Sequence, residues 1–345
     1  MLGRRYLGLM RIRASLIVVF VVLIGAGFYL MSATAPLSVA PRWALAGDES
    51  IPDDALTVRF TGTSTLLFSD GETAWMVDGW FSRFGPIALL SGEIAPDVAA
   101  IERGLARNGV DRLAVVIPVH SHFDHAMDAP EVARRTGAVL WGSESTANIG
   151  RGWGLPESQI RVAVDREPVE VGRFTIRLIA TNHFEFPDPE VRARALDDPE
   201  IVEPLVPPVG AFDYRVGQPY AIHVSHPEGT WLIQGSAGYR PGGFAGFEAD
   251  TVFLGVGGLG SQTPEYREAY WHETVQTTGA RRIIPIHFDS LMAPIEGPFE
   301  GEPRGASFLS EGDELVRAFL EEKLASAPDL EVATLPRYDP VVLFR

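Results

Sequence analysis

From residue 14 to residue 31 the chain is apolar and uncharged, a run long enough to cross a bilayer as a helix. Arg4, Arg5, Arg11 and Arg13 all precede it, and the next basic residue is Arg42. The pattern therefore predicts a transmembrane segment at residues 1–31, with the rest of the chain on the far, extracytoplasmic side (the periplasmic side in a bacterium). A cleaved signal peptide releasing a secreted protein is the alternative. The length of the run, and Pro36 directly after the small residues Ala33 to Ala35, favour an anchor. Residues 32–55 are rich in Pro, Ala and Ser without periodicity and read as a linker, so folding is expected to begin at residue 56.

Beyond that point short β-prone runs and helical spacings alternate. Residues 57–60, 65–69 and 75–77 read as an antiparallel opening, the last two joined by the Asp70-Gly71 turn signal. A helix is expected over 96–108, a buried strand over 113–119, a helix over 125–136 and a strand at 139–141. A β-rich pair across 169–180 and strands at 220–224, 230–233 and 251–255 follow. Next come a helix over 264–278, a strand at 283–286, a helix near 309–325 and a closing strand. Hairpins mixed with βα units imply an α/β fold of two sheets flanked by helices. Residues 187–210 break the rhythm: they are acidic and carry six prolines around a weak helical centre at 191–196. They read as an insertion over a site, or else as a mobile surface excursion.

Composition narrows the chemistry. A hydrophobic share of 46% supports a full core, and a net charge of −16 argues against a nucleic-acid partner. Lys323 is the only lysine, remote from every motif, which disfavours Schiff-base chemistry. With no cysteine, any metal must be held by His, Asp and Glu.

Such residues are concentrated in His120-Ser121-His122-Phe123-Asp124-His125, placed directly after a buried strand and at a helix start. Imidazole and carboxylate are ligands that zinc accepts when thiolate is absent, and strand ends let them converge without disturbing the core. His183 and His287 also follow apolar runs, which puts them at the same rim. His223, His226 and His272 lack that placement and read as structural. Tyr239 is a candidate oxyanion donor, with ordinary core or surface packing as its alternative.

His-x-His-x-Asp-His resembles the signature of the metallo-β-lactamase fold superfamily, over most of residues 56–345. The resemblance implies a four-layer αββα sandwich with one metal on His120, His122 and His183 and another on Asp124, His125 and His287. Two zinc ions are expected, with a single one as the alternative. Asp78 in Met76-Val77-Asp78-Gly79 matches the acid that supports the metal loop. Thr61-Gly62-Thr63-Ser64 and its hairpin are most similar to the branch of ascorbate-phosphate lactonases and N-acyl-phosphatidylethanolamine-hydrolysing phospholipase D enzymes. One departure stands out: where hydrolytic members have a metal-bridging aspartate, this chain has Ser236, within Gln234-Gly235-Ser236-Ala237-Gly238. A hydroxyl is a much poorer ligand than a carboxylate.

The resemblance implies hydrolysis of an ester-like bond, a lactone or phosphodiester, by metal-bound hydroxide, with Asp124 as the catalytic acid–base group. The substrate is expected to be a small or lipid-like molecule. The alternatives are β-lactam hydrolysis, and a metal-binding protein of weak or no catalysis because the bridging acid is lost.

Overall fold

The structure, a computed structural model, describes residues 2–34, 36–37, 40, 42–47, 50–304 and 313–344. After helix α1 (Leu2–Met31), strands β1 (Thr57–Gly62), β2 (Thr65–Ser69) and β3 (Ala74–Val77) open the first sheet. Helices α2 (Pro86–Ser91) and α3 (Val98–Arg107) lead to β4 (Val115–Ile117), and α4 (Phe123–Ala126) and α5 (Ala129–Thr136) lead to β5 (Val139–Gly142). Helix α6 (Glu144–Gly152) precedes β6 (Ile160–Val162). Strands β7 (Val169–Val171) and β8 (Phe174–Ala180) open the second sheet, and α7 (Pro189–Leu196) follows. Then come β9 (Tyr220–His226), β10 (Gly229–Gln234), β11 (Thr251–Gly255), α8 (Pro264–Trp271), β12 (Arg282–Ile286), α9 (Asp313–Ser326), β13 (Glu331–Val332) and β14 (Val341–Val342).

The sheets run β14-β1-β2-β3-β4-β5-β6 and β13-β12-β11-β10-β9-β8-β7. Each begins as an antiparallel meander and continues as parallel strands, with the change at β3–β4 and at β10–β11. Alternation along the strands explains the layering. Phe68, Trp75 and Val77 face the core between the sheets, whereas Leu67 and Met76 face Ile101, Leu105 and Val132 of α3 and α5. Phe68 ties the sheets together, with ring centroids 4.7 Å from Trp75 and 5.2 Å from Trp231 of β10. Helix α8 and the π-helical His272–Gln276 that continues it cover the far side, with Tyr270 and Val275 buried. The α/β, two-sheet expectation holds.

The membrane part of that expectation does not. Among the described residues no helix is long and apolar enough to cross a membrane. The end of the apolar run is spent on the domain itself: Leu30 and Met31 line its central cavity, and the Arg304 guanidinium sits 5.3 Å from the Tyr29 ring. Ala33 bridges Pro303, and the Thr34 amide donates to the Glu302 carbonyl. The last turn of the run is therefore part of a cavity wall. The transmembrane segment, and the extracytoplasmic placement argued from it, are overturned. The segment read as a linker also packs: Leu37, Ala40 and Trp43 are buried in the inter-sheet core.

Other differences are local. The helix expected over 125–136 is two, because Asp128 spends its side chain on Phe81, Ser82 and their loop. The start of the helix expected from 309 lies outside the described residues up to 312. The insertion holds α7, N-capped by Asp188 with Pro189 at its first position.

Candidate metal centre

Strand ends deliver the side chains to one rim. His120 follows β4, His183 follows β8, Ser236 follows β10 and His287 follows β12. The short α4 puts Asp124 and His125 in its first turn, with His122 at the preceding cap position. Two donor sets result, His120 with His122 and His183, and Asp124 with His125 and His287; within each, one ligand atom per residue lies within 4.8 Å of the others. The sets adjoin, since the His120 and His125 ring centroids are 4.0 Å apart.

Hydrogen bonds around the rings fix which nitrogen is free. His122 Nε2–H donates to the Ala195 carbonyl (3.1 Å) and His183 Nδ1–H to the Phe184 carbonyl (2.7 Å). The lone pair of His122 Nδ1 is then 3.0 Å from His120 Nε2. His125 Nδ1–H donates to Asp78 Oδ2 (2.8 Å), which leaves its Nε2 lone pair facing Asp124 Oδ2 at 3.3 Å. His287 Nε2 faces that same oxygen at 3.3 Å. Acceptors aimed at one another in a buried site require a proton or a cation among them, and nitrogen and carboxylate oxygen are the donors a divalent metal takes. The residues therefore fit a metal pair.

The electrostatics follow. Burial, then the neighbouring imidazoles, hold His120 well below its ordinary pKa, and burial lowers His122 and His183 too. These rings stay neutral, as ligands must. Burial opposes charge on Asp124, but His125 and His287 outweigh it and keep the carboxylate ionised. Burial likewise opposes charge on His125, but Asp124 and Asp78 push it up to about 10, so that without a cation a proton stands on Nε2 between the ring and Asp124.

Asp78 was expected from the sequence as a support of the metal loop; the backbone strain and main-chain bonds around it were not legible there. Asp78, Thr63 and His287 all have left-handed backbones, with φ of 58°, 52° and 61°. Such strain persists only where surroundings enforce it. Here the His287 amide donates to the Thr63 carbonyl (2.5 Å), and the Thr63 amide donates to Asp289 Oδ1 (2.6 Å). Asp78 Oδ1 also accepts from the Val119 amide (2.9 Å), pinning the strand that carries His120. Gly257 leaves room for the His287 ring: a Cβ there would lie 2.5 Å from Nδ1. The insertion's contribution is Ala195, whose carbonyl orients His122.

Ser236 lines the cavity beside all six donors, and its buried hydroxyl has no hydrogen-bond partner. His223 donates to the Glu248 carbonyl, His226 faces Asp70 and His272 faces Gln276, so none joins the donor sets. Tyr239 packs against Tyr266 and Tyr270. The tyrosine that lines the cavity is Tyr214, with an unpartnered hydroxyl whose pKa burial raises.

A model of the metallo-beta-lactamase superfamily matches residues 58–270, more than half of the chain and the stretch that carries five of the six donors. The chain belongs to the metallo-beta-lactamase superfamily. A curated relative from Pyrobaculum calidifontis, named UPF0173 metal-dependent hydrolase, is 24% identical over 240 residues, 68% of this chain and 85% of its own. Igni18, a metallo hydrolase from Ignicoccus hospitalis, superposes with a TM-score of 0.46 at 15% identity, over 83% of this chain and 97% of its own. The metallo-beta-lactamase fold protein YhfI from Bacillus subtilis gives 0.44 at 14%, over 84% and 100%. The expectation of a metal-dependent hydrolase agrees with the name the curated superfamily relative carries; the comparisons reach the superfamily and not a branch within it.

Proposed function

We propose that this metallo-beta-lactamase superfamily hydrolase holds two zinc ions, one on His120, His122 and His183 and one on Asp124, His125 and His287, and cleaves an ester-like bond, a lactone or phosphodiester. The observation that carries the reading is the pair of adjoining donor sets in one cavity, with mutually facing lone pairs. Divalent cations there would acidify a water and offset charge on the reacting oxygens. The chain's own residues do the rest. Asp78 and the Ala195 and Phe184 carbonyls lock ring orientation, Asp124 orients the attacking water and takes up its proton, and the Tyr214 hydroxyl is available to donate to the substrate. The Thr63 and Ser64 contacts with His287 and His125 tie the Thr61–Ser64 segment to the same site.

A second reading rests on Ser236. Without a bridging carboxylate the pair loses an anion, which favours a weakly occupied second position and a binding protein of little activity. Metal analysis of the purified full chain, with turnover of a phenyl ester, a lactone, a bis-phenyl phosphodiester and a β-lactam, separates these. Two zincs per chain with ester, lactone or phosphodiester turnover is expected. Two zincs with no turnover of any of the four would sink the hydrolytic assignment, and turnover of the β-lactam alone would redirect it.

A further inference from the structure

The cavity of about 290 Å³ does not end at the metal-ligating side chains. It continues as a slot walled by Leu30, Met31, Leu90, Val191, Leu291 and Met292. Beside His183, Phe184 and Phe186 line the same cavity and pack with ring centroids 4.7 Å apart. The slot's cation is Arg194, whose guanidinium lies 4.0 Å over the Phe212 ring. Leu30 and Met31 are 50% and 61% exposed although they face a cavity, so apolar surface remains there for a ligand to cover. Leu30 and Met31 lie before residues 58–270, the stretch that the superfamily model matches.

We propose that the slot receives an uncharged, apolar acyl or aryl portion of the substrate, and that Leu30 and Met31, the last turn of α1, are specificity-determining residues for it. The inference deepens the hydrolase reading and rests on it. The scissile group lies at the histidine end, and the apolar portion extends toward α1. Methionine suits such a wall because its unbranched side chain adapts to a guest's shape. Each methylene taken from water into the slot is worth up to about fourfold in kcat/KM.

The test uses the full, zinc-loaded chain with acetate, octanoate and dodecanoate esters of one phenol, and a separate fluorescence titration with the neutral apolar probe phenylnaphthylamine. In the parent, kcat/KM should climb with acyl length. Met31→Ser should lower the dodecanoate-to-acetate ratio by roughly tenfold, and Met31→Trp should lower it by filling the slot. Both variants should weaken probe binding. An unchanged ratio and unchanged probe affinity in both variants would overturn the assignment while leaving the hydrolase reading intact. If no ester is turned over but both variants lose the probe, the slot stands and the ester reading fails.

Discussion

His122 Nε2–H donates to the main-chain carbonyl of Ala195, 3.1 Å away and 73 positions later in the chain. The last turn of α7, inside the insertion, thus sets the tautomer of a candidate ligand. Ala195→Pro should displace that carbonyl, because proline clashes with the preceding turn. Affinity for the metal on His120, His122 and His183 should fall about 10- to 100-fold, as when other orienting partners are lost. Chelator competition measures it, and undiminished affinity would show that α7 merely covers the site.

Asp78 spans His125 Nδ1 and the Val119 amide through its two oxygens. Asp78→Asn keeps the size but loses the charge and one acceptor. Weaker metal binding at the Asp124, His125 and His287 set is expected, by about 10- to 100-fold, with a stability loss of about 1–3 kcal/mol from the orphaned donor. Chelator competition and urea denaturation report the two effects separately, and a variant normal in both would remove Asp78 from the site's support.

Ser236→Asp places a carboxylate where the hydroxyl is buried without a partner. An added anion between two dications should tighten the second metal. It should also raise the pKa of the attacking water, so turnover should not increase. Zinc titration followed alongside hydrolysis decides the matter. Restored binding together with restored rate would instead mark the parent as a decayed enzyme. No change in either would mean that residue 236 does not face the metals.

Burial lifts the Glu302 carboxyl from its ordinary 4.5 to about 7, against the bonds it accepts from the Leu291 amide and the Ser290 hydroxyl. The folded state thus binds this proton more tightly than the unfolded state. Its contribution is fully present below the ordinary value and is lost as pH rises through about 7, by on the order of 3 kcal/mol at most. Glu302→Gln should flatten that part of the stability profile in urea denaturation between about pH 4.5 and about pH 8. A profile as steep as the parent's would show that Glu302 does not titrate there.

The rim is written in the order of the residues. Imidazoles and a carboxylate spaced by one and two residues after a buried strand have few fates other than metal, and His183 and His287 were found because each also closes an apolar run. Strand periodicity likewise determined the two-sheet architecture, since burial on one or both faces is written into which positions are apolar. The remaining features arise from contacts between segments far apart in the chain. The apolar stretch at residues 14–31 carries the composition of a membrane span, and composition does not record that Leu30 and Met31 wall a cavity. A main-chain carbonyl has no sequence signature, so neither Ala195 on His122 nor Thr63 on the His287 amide was readable in advance. The left-handed backbones of Thr63, Asp78 and His287 were equally hidden, because local propensity argues against them and only the surrounding hydrogen bonds hold them in place.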